Sequence, residues 1–103
     1  MEIRQSTIAR DDVFAKERED VLAEQLGEEF AILDVTGGQY YRLNDTGAMV
    51  WRLLHQGNSL ARTFETLLEE YDVSEEHLAA DLTHLVSDLQ RHGLVDLYVK
   101  PQA

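Results

Sequence analysis

The spacing of apolar residues changes character twice along the chain. Around residues 30–43 it is short and strand-like. "FAILDV" is an apolar run closing near Asp34, "TGG" supplies two glycines, and "QYYRL" alternates. Strand, glycine-containing turn and strand read as an antiparallel hairpin. Successive strand side chains point to opposite faces, so Tyr41 and Leu43 share one side and Tyr40 and Arg42 the other. The first pair is assigned to the core.

From Asn44 onward the period lengthens to that of a helix. Asn44 or Asp45 can cap it, because either side chain can accept from an exposed backbone N–H in the first turn. Gly47, Val50, Trp51 and Leu54 follow at helical spacing. A glycine in a first turn costs about 1 kcal/mol against alanine, and suggests close approach of another backbone. Gly57 suits the position just past the helix end. Ser59 caps a second helix, in which Leu60, Phe64, Leu67, Leu68 and Tyr71 form one stripe. Ser74 caps a third, with Glu75 and Glu76 placed against its positive end. Leu78, Leu82, Leu85 and Leu89 are its expected buried seam, with Val86 beside it. Gly93 closes this helix, Leu94 supplies the apolar contact after it, and "LVDLYVK" reads as a last short strand.

The segment before Phe30 fits two periods. Phe14, Val21, Leu22 and Leu26 can be laid on a helix, and "VLAEQL" can equally alternate as a strand that breaks at Gly27. Residues 1–20 are therefore set apart as an N-terminal extension of uncertain structure, and residues 21–99 as the domain proper. Strands followed by three helices give an α+β fold, and three helices beside a small antiparallel sheet suggest a winged helix-turn-helix.

Composition narrows the chemistry. A chain of 103 residues is one domain with a modest core and little room for a buried catalytic cavity. No apolar run approaches the ~20 residues that cross a bilayer, and the N-terminus has no apolar signal region. There is no cysteine, which removes disulfides, thiolate nucleophiles and cysteine-held metals and fits a cytoplasmic protein. A formal net charge of −11 repels nucleic-acid phosphate and favours a basic or neutral partner. The expected recognition helix carries Glu75, Glu76, Asp81 and Asp88 against one Arg91, the opposite of what a major-groove reader offers.

The four histidines are His55, His77, His84 and His92. No two are three or four residues apart, the spacing that places two metal ligands on one helix face. His84 with Asp88 is a single His–carboxylate pair, and the simpler reading is a solvated face with i, i+4 pairing. No nucleophile elbow, phosphate loop or dinucleotide fingerprint is present. The expectation is a protein without catalytic residues, metal or cofactor. What remains is "QYYRL" as an exposed sheet edge, to which an extended peptide could add as a further strand, with the third helix as the opposite wall.

"LDVTGGQYYRLNDTGAMVWRLL" resembles the PqqD-like family, also described as RiPP recognition elements. The resemblance rests on Leu33, Asp34, Gly38, Tyr40, Tyr41, Leu43, Asn44, Gly47, Trp51 and Leu54. Downstream, Asp81, Leu82, Gly93, Leu94 and Val95 match a second signature. It implies a three-stranded antiparallel sheet followed by three helices, and non-catalytic binding of the leader region of a ribosomally made precursor peptide. It implies further that the leader adds to the third strand, here Gln39, Tyr40, Tyr41, Arg42 and Leu43. Asp81, Leu85 and Asp88 would stand on the helix opposite. The style is most similar to freestanding lasso-peptide members, which work with a leader peptidase and a cyclase. A radical SAM enzyme is the alternative partner, and a structural subunit pairing through its sheet edge is the alternative role.

Overall fold

The computed structural model describes residues 3–100. Pro101 lies outside them. A short helix α1 (Gln5–Ile8) leads into β1 (Val13–Glu17), β2 (Val21–Leu26), β3 (Glu29–Asp34) and β4 (Gln39–Leu43). Helices α2 (Asp45–His55), α3 (Leu60–Glu70) and α4 (Glu75–Arg91) follow, then β5 (Val95–Val99).

The ambiguous N-terminal segment is extended. Leu26 pairs with Glu29, so Gly27 and Glu28 alone make the turn between β2 and β3. Gly27 has φ +64, and no residue other than glycine has a positive φ among the described residues. A two-residue hairpin with glycine first is the turn whose twist suits antiparallel strands, and a helix through Gly27 would forfeit it. The second hairpin closes at Asp34 and Gln39, where the Asp34 carboxylate accepts from the Gly37 N–H at 3.0 Å. The result is an antiparallel meander in the order β2-β3-β4, with β4 at one edge.

β1 forms a separate ribbon with β5, antiparallel from Val13 opposite Val99 to Glu17 opposite Val95. Val13 is fully buried, and Ile8 and Val13 belong to the same core cluster as Ile32, Leu60, Leu67 and Val86. The division at residue 20 thus falls between two strands whose buried side chains share one core. Backbone and side-chain bonds clasp the open end of the β2–β3 hairpin. The Val35 N–H donates to the Asp20 carbonyl at 2.9 Å, and the Thr36 hydroxyl holds the Asp20 carboxyl below its ordinary range.

The helix ends follow local chemistry. Asn44, rather than Asp45, caps α2 by accepting from the Gly47 N–H at 2.8 Å. Ser59 and Ser74 cap α3 and α4 in the same way, each at 3.1 Å. Past α4, the Gly93 N–H reaches the Gln90 carbonyl at 3.0 Å and the Leu94 N–H the Leu89 carbonyl at 2.9 Å. This paired closure requires the left-handed Gly93, φ +73, and buries Leu94. The seam of α4 differs at one position from the spacing-based expectation. Val86 is fully buried, whereas Leu85 is only partly so. The reason is where the helix packs: α4 meets α1, α3 and β5, and Leu85 lies one step round, towards the open side.

Candidate functional site

β4 pairs with β3 along one side, Ile32 opposite Tyr41 and Leu33 opposite Tyr40. Its other side has no strand partner among the described residues. An unpaired edge carries a row of backbone donors and acceptors that another extended chain can complete. Tyr41 and Leu43 turn inward onto the core, and Tyr40 and Arg42 stay exposed on the outer face, the division that alternation requires.

Across from this edge stands α4. An open groove of about 500 Å³ runs between them. Its β4 side is Arg42 and Leu43, continuing through Asn44, Thr46 and Gly47 into α2. Its helical side is Leu78, Asp81, His84 and Leu85, and Val50, Leu67 and Leu82 make the floor. The floor is hydrocarbon and the rim is polar, a combination that can seat an apolar side chain while the main chain of a ligand stays hydrogen-bonded at the edge.

Four of the residues singled out by sequence, Arg42, Leu43, Asp81 and Leu85, line this groove. The other four, Gln39, Tyr40, Tyr41 and Asp88, are not among its lining residues. The Tyr41 ring meets His92 at 4.8 Å between centroids and so bridges β4 to the end of α4, while its hydroxyl donates to Gln39 at 2.9 Å. Tyr40 lies on the outer face, where the Arg42 guanidinium stands 5.8 Å from its ring centroid. Asp88 pairs with Arg91 one turn on. His84, Leu78, Asn44 and Thr46 also line the groove, although sequence reasoning does not place them at the peptide site. From spacing Leu78 reads as core and Asn44 or Asp45 as the cap; Leu78 is buried and Asn44 is the cap, and both also border the groove.

The charges at the site are exposed and locally paired. His77 lies 3.2 Å from Asp81, the i, i+4 arrangement, and the His84–Asp88 pairing does not form. Arg42 lies 3.3 Å from Glu29, and the Tyr40 hydroxyl together with the Glu29 charge holds its guanidinium above its ordinary range. Among the described residues no group of three or more His, Cys, Asp or Glu side chains is placed to hold a metal. No helix among them is long and apolar enough to cross a membrane.

A three-stranded meander backed by three helices, with one free edge facing the last helix across a groove, defines a small winged-helix-like α+β domain. The chain belongs to the PqqD family, whose model, described as coenzyme PQQ synthesis protein D, matches residues 29–95. No curated protein matches it significantly. Among solved structures it is similar to lasso peptide synthetase B1 complexed with the leader peptide. That likeness has a TM-score of 0.75 and 29% identity, and covers 80% of this chain and 96% of that one. It also shares its fold with TbiB1 in complex with the TbiA(beta) leader peptide, at a TM-score of 0.74 and 23% identity, covering 79% of this chain and 94% of that one.

Proposed function

We propose that this protein binds the leader region of a ribosomally synthesised precursor peptide, of the lasso-peptide kind, and delivers it to a leader peptidase and maturation enzyme without itself performing chemistry. The observation that carries the reading is the groove between the free edge of β4 and α4. The leader would lie along Gln39–Leu43 as a further strand and place an apolar side chain against Leu43 and Leu85. Support also comes from the similarity to a B1 protein solved with a leader peptide. The acidic character of the chain, −11 overall, makes a leader carrying Lys or Arg the favoured ligand.

Fluorescence polarisation of a labelled leader peptide tests this. Arg42→Pro removes a backbone donor from the free side of β4 and fixes its φ, and is expected to abolish binding. Because Arg42 also pairs with Glu29, circular dichroism must show that the variant remains folded. Leu85→Asp puts a charge in the apolar part of the groove from a partly buried position, so it provides a second arm with less risk to the fold. Unchanged affinity in both folded variants would overturn the reading.

A further inference from the structure

The groove between β4 and α4 has a definite end. On β4 its lining stops at Arg42, and on α4 it stops at Leu85. The next inward-facing side chain on β4 is Tyr41. About 10 Å further along the axis of α4, at its C-cap, His92 reaches back to that same residue. The two rings meet at 4.8 Å between centroids, with their planes tilted by 37°. That separation is within the range of favourable aromatic pairs. The contact therefore joins the two walls of the groove directly, just past the point where the groove closes.

Both rings are held in place from behind. Tyr41 pairs with Ile32, which is fully buried, and its hydroxyl donates to the Gln39 Oε1 at 2.9 Å. The His92 N–H donates to the Asp88 carbonyl at 2.9 Å, and the Leu94 N–H donates to the Leu89 carbonyl at 2.9 Å. Leu94 is buried, so the chain is fixed on both sides of His92, and a fixed backbone leaves the imidazole few rotamers. The His92 side chain itself is exposed. It is not one of the residues that hold α4 to the core, which are Leu78, Leu82, Val86 and Leu89. Removing the ring would take nothing from the core and would free one wall of the groove from the other.

We infer that His92 is a positioning residue for the peptide site: its ring braces Tyr41 and so fixes the free edge of β4 relative to α4, without touching the peptide. The inference rests on the reading of β4 as the peptide edge. A strand added to β4 has to bond to the backbone of β4 and also set a side chain against Leu43 and Leu85. Both contacts are made well only over a narrow range of strand-to-helix separation. A brace at the end of the groove holds that separation before the peptide arrives, and a preorganised site spares part of the ordering cost of binding. Tyr41 then serves the site from the inner face of the sheet, through its ring.

The test uses the full chain and a labelled leader peptide from a precursor encoded near it, read by fluorescence polarisation. His92→Ala should weaken leader binding about fivefold. Its urea midpoint should stay near that of the parent, because the substituted side chain is exposed. His92→Phe restores a ring and should bring the affinity back to within about twofold of the parent. Tyr41→Leu keeps the strand backbone and removes the other half of the brace. The double variant, Tyr41→Leu with His92→Ala, should bind no more than about twofold weaker than Tyr41→Leu alone. Four results would overturn the inference: parental affinity in His92→Ala, a large fall in its urea midpoint, no recovery in His92→Phe, or fully additive losses in the double variant. Failure of the parent to bind the leader at all would instead count against β4 as the peptide edge. Amide NMR spectra of the free protein would then decide the brace. His92→Ala should shift the amides of Leu43, Asn44 and Leu85, and shifts confined to the chain neighbours of residue 92 would overturn it.

Discussion

Gly47 lies just past the end of β4, in the first turn of α2, and two neighbours explain why it has no side chain. A Cβ built there would stand 3.2 Å from the Asn44 Oδ1 and 3.2 Å from the Leu43 Cβ. The first contact could be relieved only by turning Asn44 away from its cap bond, and the second involves an atom fixed to the backbone of β4. Gly47→Ala gains about 1 kcal/mol of helix propensity. Against that stand about 1 kcal/mol for the weakened cap and a further ~1 kcal/mol or more for crowding Leu43. The variant is expected to be less stable by about 1 kcal/mol, a fall in midpoint of about 4–8 °C in a thermal melt for a chain of this size. A melt at or above that of the parent would show that the glycine does not serve this close approach. That a poor helix former in a first turn needs a steric reason was legible in the sequence, but the approach expected was that of another backbone, whereas the atoms in the way belong to the side chains of Asn44 and Leu43. The glycine's particular neighbours were not legible, since they depend on the angle between β4 and α2.

At the scale of elements, α4 has two roles on adjacent faces. Leu78, Leu82, Val86 and Leu89 hold it to the core, and Asp81, His84 and Leu85 border the groove. A leucine seam at helical spacing was readable, but periodicity alone does not say which flank of the seam stays open. That is why Leu85 reads as core from sequence and stands at the margin in the fold. The short "VLAEQL" segment was ambiguous for a different reason. Only one of its residues, Val21, is buried, so burial leaves little periodic trace and the deciding feature is the tight turn at Gly27. The acidic flank of α4 leads to a measurable expectation. Asp81→Lys with Asp88→Lys breaks only exposed pairs, which contribute little to stability. Affinity for a Lys- or Arg-bearing leader should fall about tenfold at low salt, and its dependence on salt should flatten. A parent affinity that does not vary with ionic strength would argue against electrostatic selection by this helix.

For the whole molecule, the strand-then-helix order sufficed to give the fold class, while the β1–β5 ribbon was out of reach. Pairing between segments at opposite ends of the chain leaves no local spacing to read. The ribbon also bears on where the domain starts. A chain beginning at residue 21 would lack Ile8, Val13 and Ala15 from the core and would leave β5 without its partner strand. At about 1.5–3 kcal/mol for each large apolar side chain removed, the loss is comparable to the whole stability of a small domain. Such a truncation is expected to unfold without a cooperative transition in urea. A sharp transition at near-parental denaturant would place the start of the domain at Val21.

The same ribbon sets an order of assembly. Each hairpin of the meander joins strands separated by a short turn, whereas Arg18 meets Asp96 from 78 residues away. Contacts that close small loops form early, and those that close nearly the whole chain come late. During synthesis β4 therefore emerges and can pair with β3 well before β5 exists to complete the core. Until that last strand arrives, the backbone edge of β1 is unpaired and Leu94 and Val95 are missing from the core, so the nascent domain is at its most exposed to aggregation. Substitutions in β5 should thus limit how much folded protein accumulates more than they alter how the finished protein binds.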